Sequence, residues 1–131
     1  MLVGYLDTSV LVAITFAEPG YERLVARLGR LDEIVSSTLL ESEFLATAER
    51  EGVRDRVSKL LDAISWIFPE NRLTRELNEI LGFGYLRGAD LHHLATALRL
   101  FPKPNDGFFL TLDQHQEGIA QKLGFKSLGE L

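Results

Sequence analysis

Carboxylates are the side chains of this sequence whose types and spacing best suit chemistry. Asp7 and Asp113 each follow an apolar run, 2–6 and 107–112, that is typical of a buried strand. Ligands bind at the carboxyl ends of the strands in open parallel sheets, so both aspartates are candidate metal ligands. Both are also candidate helix N-caps, because a helical pattern follows each of them.

Asp90 lies on the apolar side of its predicted helix. At about 100° per residue, Leu94, Ala97 and Leu98 all fall within about 80° of it on a helical wheel. A charge in the centre of an apolar stripe is costly unless it is capped, paired or bound to a metal. The residues alone leave both roles open, N-cap and metal ligand, and the two are compatible.

Two glutamates on the predicted helix 38–51 are further candidates. Glu41 and Glu43 are about 200° apart on the wheel, so they do not share one metal site comfortably. Both have apolar neighbours, so the wheel does not choose between them. An exposed helical glutamate is the commoner fate of either.

The three histidines form no recognisable zinc motif. His92 and His93 are adjacent, about 160° and 60° from the apolar centre of their helix, and His115 is distant in the sequence. We interpret all three as surface or structural residues and expect His92 and His93 to point outward or sideways.

Composition narrows the class of protein. The 131 residues fit one domain, and 46% hydrophobic residues are enough for a core. Without cysteine, the chain has no disulfide, thiolate zinc site or cysteine nucleophile. We expect a cytoplasmic protein with no membrane partner, because the N-terminus lacks a basic signal region and no apolar run could span a bilayer.

The net charge is weak evidence on the substrate. It is −5, from 14 basic and 19 acidic residues. Setting four carboxylates aside for a metal site leaves 15 acids against 14 bases, a net charge of −1. Because an acidic metal site gains positive charge from its ion, overall acidity does not exclude a nucleic-acid substrate.

Strands and helices alternate along the chain, which predicts a parallel sheet covered on both faces. We predict one domain over residues 1–131, without repeats or linkers. The predicted strands are 2–6, 34–36, 66–68, 107–112 and 125–128. The predicted helices are 10–17, 21–30, 38–51, 53–64, 73–86, 90–101 and 113–123.

Four segments resemble, in order and spacing, the motifs of PIN-domain ribonucleases. They are 6–12 (LDTSVLV), 35–44 (VSSTLLESEF), 88–98 (GADLHHLATAL) and 109–113 (FLTLD). The match covers essentially the whole chain. Its short length looks most like the VapC-like toxins of toxin–antitoxin pairs.

The resemblance implies a three-layer α/β/α sandwich with a central parallel sheet and an acidic pocket for one or two Mg²⁺ or Mn²⁺ ions. Counted from Ser37, the second motif assigns the acidic position to Glu43. The other acidic positions match Asp7, Asp90 and Asp113, with Thr111 and Ser9 in support. The last position is the least uniform in such proteins, and Glu117, one turn further on, is an alternative to Asp113.

The same resemblance implies an RNA substrate, a cognate antitoxin protein and a homodimer. Arg87, three residues before Asp90, is a candidate substrate contact. The basic residues of 50–59 could also contact RNA, although a solvated helical face is the commoner role of such a cluster. An apolar surface on the first four helices would suit an amphipathic partner helix.

Other functions fit less well or stay open. A phosphoaspartate receiver needs an acidic pair after its first strand, and a haloacid-dehalogenase-type phosphatase needs an aspartate where Ser9 stands. An inactive PIN-like binding scaffold remains an alternative, although unused clustered carboxylates would repel one another. Cleavage of DNA is a second alternative.

Overall fold

One parallel sheet organises the chain. The computed structural model describes residues 1–131, except for the side chain of Ser58. Five strands lie in the order β3-β2-β1-β4-β5, and all neighbouring pairs are parallel. The strands are β1 (Val3–Leu6), β2 (Glu33–Ser37), β3 (Ser65–Ile67), β4 (Phe108–Leu110) and β5 (Lys126–Ser127).

Helices connect the strands as the alternating pattern predicts. They are α1 (Thr8–Thr15), α2 (Tyr21–Leu28), α3 (Thr38–Arg50), α4 (Ser58–Asp62), α5 (Thr74–Leu81), α6 (Gly88–Leu100) and α7 (Gln114–Leu123). Of the helices described, none has both the length and the apolar content to cross a membrane.

The two faces of the sheet bury two separate cores, because alternate residues of a strand point to opposite faces. Tyr5 and Phe109 pack in the core formed with α5, α6 and α7. Leu6 and Leu110, the next residues of the same strands, pack in the core formed with α1 to α4. This arrangement confirms the predicted three-layer sandwich.

Two predicted helices are shorter than the sequence pattern suggests. The helix predicted over 73–86 ends at Leu81, and Gly82 is its C-cap. Gly84 then passes close to α7, where an added Cβ would lie 3.0 Å from Ile119 Cδ1. The helix predicted over 53–64 divides into a 3₁₀ turn at Arg54–Arg56 and the short α4.

The centre of the sheet brings distant parts of the sequence together. β1 lies between β2 and β4, so the strand order runs one way toward β3 and the other way toward β5. Leu6 aligns with Leu110, and the Asp7 amide donates to the Leu110 carbonyl at 2.9 Å. This switch in strand order is where open α/β sheets bind ligands.

Candidate functional site

A pocket of about 450 Å³ opens at the carboxyl edge of β1 and β4. Its lining residues come from five parts of the chain, and most of them are polar. They are Asp7, Thr8, Ser9, Val12, Glu18, Glu43, Arg87, Asp90, Leu112 and Asp113. The structure therefore brings all four predicted carboxylates, and Arg87, to one pocket.

Asp7 forms the floor of the pocket and is 4% exposed. It is the N-cap of α1, as the simpler interpretation predicted, and also a pocket carboxylate. Its Oδ2 accepts a hydrogen bond from Ser9 Oγ at 2.8 Å and lies 3.0 Å from Thr111 Oγ1. The two residues predicted to support the site thus contact Asp7 directly.

Glu43, rather than Glu41, faces the pocket from α3. Thr8 Oγ1 donates to Glu43 Oε1 at 2.8 Å, and His93 Nε2 lies 2.7 Å from the same oxygen. Burial raises the pKa of Glu43, but the hydrogen bonds from His93 and Thr8 outweigh it and hold the pKa below its ordinary value. The carboxylate is therefore ionised at neutral pH.

Asp90 stands in the first turn of α6 and is half-buried. The N-cap position belongs to Arg87, so Asp90 is not the cap. Burial raises the pKa of Asp90 above its ordinary value, and the negative charges of Asp7 and Asp113 raise it further. The pocket carboxylates thus act on one another, and a cation would relieve their repulsion.

Asp113 is the N-cap of α7 and is exposed. Its Oδ1 accepts a hydrogen bond from the Gln116 amide at 2.9 Å. Glu117, the alternative to Asp113, is not among the residues that line the pocket. The sequence pattern left the choice open, and the geometry favours Asp113.

The structure adds three polar residues that sequence reasoning missed. His93 is completely buried beside Glu43, so the expectation that it points outward or sideways is wrong. Gln116 is also buried, within 2.8 Å of Thr111 Oγ1, and donates to the Asp90 carbonyl at 3.1 Å. Glu18, which follows α1, adds a fifth carboxylate to the lining.

The donor set suits a hydrated divalent cation. Among the residues that the structure describes, no three histidine, cysteine, aspartate or glutamate side chains converge closely enough to hold a metal ion by themselves. Mg²⁺ usually keeps several waters and binds through one or two carboxylates, so an open pocket lined by carboxylates suits a hydrated ion. A closed zinc site would instead require four tightly arranged ligands.

The basic residues near the pocket are few. Arg87 lines it and is exposed. The cluster at 50–59 behaves as a solvated surface: Arg50 pairs with Glu51 at 3.1 Å and Arg54 with Glu49 at 3.5 Å. These pairs offset the local positive charge that would attract RNA.

Comparisons with known proteins agree with this fold. A family model described as the PIN domain matches residues 4–121. The structure of VapBC-1 from nontypeable Haemophilus influenzae aligns with a TM-score of 0.73 at 15% identity, covering 98% of this chain and 99% of the other. VapBC2 from Rickettsia felis, bound to a DNA fragment from its promoter, aligns with a TM-score of 0.71 at 15% identity, covering 96% and 98%. No curated protein sequence is significantly similar.

Proposed function

Since this chain belongs to the PIN domain family, we propose that it is a metal-dependent endoribonuclease and the toxin of a toxin–antitoxin pair. The observation that carries the proposal is the gathering of Asp7, Glu43, Asp90 and Asp113 around one pocket from four separate parts of the chain. Mutual repulsion of this kind is costly to maintain and is typical of a site that binds cations.

Each carboxylate has a distinct part in the proposed reaction. Asp7, Glu43 and Asp90 hold one or two Mg²⁺ or Mn²⁺ ions, directly or through water, and Asp113 completes the site or orients the attacking water. A divalent cation bound here would lower the pKa of a water molecule and neutralise charge on the phosphate. Ser9 and Thr111 fix the orientation of Asp7, so its oxygens are already in place before substrate arrives.

Arg87 supplies the positive charge for an RNA phosphate. It is the basic side chain of the pocket lining, and it flanks α6 at the N-cap position, where the helix dipole also favours an anion. We propose that the scissile phosphate lies between Arg87 and the metal carboxylates.

An apolar groove supports the proposal of an antitoxin partner. It has a volume of about 120 Å³ and lies between α1, α2 and α4. Its lining is almost entirely hydrocarbon: Leu6, Leu11, Ile14, Val25, Leu28, Ile34, Leu60, Ala63 and Ile64. A large apolar side chain on an amphipathic helix of an antitoxin would insert there. We also propose a homodimer, as the resemblance to VapC-like toxins implies.

The direct test is cleavage of structured RNA by purified protein with Mg²⁺, Mn²⁺ or EDTA. We expect metal-dependent cleavage that Asp7→Asn and Asp90→Asn each reduce by at least about 100-fold, the scale of effect of removing a group that stabilises the transition state. Glu41→Gln is the matched control, because it removes a glutamate from α3 outside the pocket lining.

The outcomes separate the alternatives. Cleavage that survives both aspartate substitutions would place the activity elsewhere or in a contaminant. Cleavage of single-stranded DNA but not of RNA would change the substrate. The absence of cleavage, together with the absence of Mn²⁺ binding by calorimetry, would favour a binding scaffold.

A further inference from the structure

A chain of hydrogen bonds runs from the core of the sheet to Glu43. The Tyr5 hydroxyl lies 3.1 Å from Ser37 Oγ and 2.8 Å from His93 Nδ1. His93 Nε2 in turn lies 2.7 Å from Glu43 Oε1. Tyr5, Ser37 and His93 are all buried, so water does not replace these contacts.

The order of donors in this chain follows from chemistry. Glu43 is ionised and can only accept, so Nε2 of His93 must carry a proton. Burial raises the pKa of Tyr5, which therefore keeps its hydroxyl proton. The Tyr5 hydroxyl contacts Nδ1 on the other side of the ring, so hydrogen bonds at both ring nitrogens fix the orientation of the imidazole toward Glu43.

The contact between His93 and Glu43 joins two helices that lie on opposite faces of the sheet. Glu43 comes from α3, on one face of the sheet, and His93 comes from α6, on the other. Asp90 precedes His93 by three residues on α6, nearly one helical turn. α6 therefore carries both Asp90 and His93, the residue that contacts Glu43.

We propose that His93 is a positioning residue that sets Glu43 relative to Asp90 for cation binding. The inference rests on the function proposed above. Thr8 and His93 both bond to Oε1 of Glu43, which leaves Oε2 to the cation or its water. Tyr5 supports the same contact, because its hydroxyl bonds to Nδ1 of His93 and its ring packs edge-on against the imidazole at 5.8 Å between centroids.

The test compares the dissociation constant for Mn²⁺, measured by calorimetry, with the Mn²⁺ concentration that half-saturates RNA cleavage. His93→Leu removes the donor, and we expect both values to rise about 10- to 100-fold, the usual effect of losing a partner of a metal ligand. His93→Gln keeps an N–H donor and should recover most of the affinity. Tyr5→Phe should weaken Mn²⁺ binding less than His93→Leu does. Thermal unfolding of each variant in EDTA measures structural damage separately.

Several results would overturn the inference. If His93→Leu loses stability yet keeps wild-type Mn²⁺ affinity, His93 is a purely structural residue. If His93→Leu does not fold, Tyr5→Phe decides, and unchanged Mn²⁺ affinity in that variant counts against the proposal. Ring-nitrogen NMR of the wild type that shows a neutral Nδ1–H tautomer would contradict the order of donors. Failure of the wild type to bind Mn²⁺ or cleave RNA would instead refute the proposed function itself.

Discussion

At the scale of single residues, the ionised side chain of Asp90 destabilises the folded protein. Burial and the neighbouring carboxylates raise the pKa of Asp90, so the folded state holds its proton more tightly than the unfolded state does. The resulting destabilisation of the metal-free protein appears as the pH rises through the raised pKa and is complete above it.

Asp90→Asn is therefore expected to stabilise the metal-free protein at neutral pH while abolishing cleavage. The gain should be at most about 1 kcal/mol, because solvent screens charges at a half-exposed site. Thermal unfolding in EDTA at pH 7 measures it, and the difference from wild type should shrink as the pH is lowered. A variant less stable than wild type at pH 7 would show that Asp90 stabilises the fold instead.

The sequence predicted the aspartates better than the histidine for a physical reason. Asp7, Asp90 and Asp113 follow strands or begin a helix, so their local patterns already point to the edge of the sheet. A helical wheel assumes one buried face, but α6 is buried at every position from His93 to Leu98. The assumption fails on such a helix, and only the fold reveals that His93 meets Glu43.

At the scale of elements, a buried ion pair joins α5 to α6. Arg99 donates to both oxygens of Glu76, at 2.9 Å and 3.0 Å, and Glu76 is 1% exposed. The hydrogen bonds from Arg99 hold the pKa of Glu76 below its ordinary value of 4.5. The stability that this pair contributes is present above the ordinary pKa and is lost as the pH falls through the lowered pKa.

Glu76→Gln should therefore lower the melting temperature at pH 7 and reduce the loss of stability between neutral pH and acid. Thermal unfolding at pH 7 and at successively lower pH values measures both effects. Glu79→Gln, an exposed position of the same helix, is the matched control and should change neither. If the melting temperatures of wild type and Glu76→Gln fall in parallel as the pH is lowered, the Glu76–Arg99 pair does not contribute pH-dependent stability.

Two glycines offer a sharper test of packing. A Cβ on Gly107 would lie 2.6 Å from Phe101 Cε1, in steric overlap with the ring, whereas a Cβ on Gly118 meets no atom within 4 Å. We expect Gly107→Ala to destabilise the protein by about 1–3 kcal/mol through overpacking. Gly118→Ala, within α7, should stabilise it by about 0.5–1 kcal/mol. Denaturant unfolding of both variants measures these changes, and equal effects would contradict the described packing.

Element boundaries show where sequence patterns stop being sufficient. The strands and their order of appearance were predictable from apolar runs. The early end of α5 was not, because glycines at 82 and 84 lower helix stability only modestly; in the structure Gly82 is the C-cap and Gly84 approaches Ile119 on α7. That contact joins distant parts of the sequence, so a local pattern cannot reveal it.

At the scale of the whole molecule, charge opposes the proposed substrate until a cation binds. The net charge is −5, and five carboxylates line a pocket with Arg87. RNA should bind weakly in EDTA, and Asp90→Asn should bind it several-fold more tightly under the same conditions because one repulsive charge is gone. Fluorescence anisotropy with labelled RNA measures this difference at low salt.

Asp62→Asn separates a local effect from the change in net charge. It removes one negative charge from the exposed end of α4, outside the pocket lining. We expect its affinity for RNA to stay near that of wild type. An equal gain in RNA affinity for Asp62→Asn and Asp90→Asn would show that the overall charge, rather than the charge of the pocket, governs RNA binding.

The position of β1 between β2 and β4 has a consequence for synthesis of the chain. One side of β1 stays unpaired until residues 108–110 emerge, and Asp113 comes after them. A ribosome adds about 5–20 residues per second, and its tunnel delays the last segments further. The proposed site is thus incomplete until the segment around Asp113 has been made and has left the ribosome, so the proposed nuclease activity cannot appear while the earlier strands and helices are being synthesised.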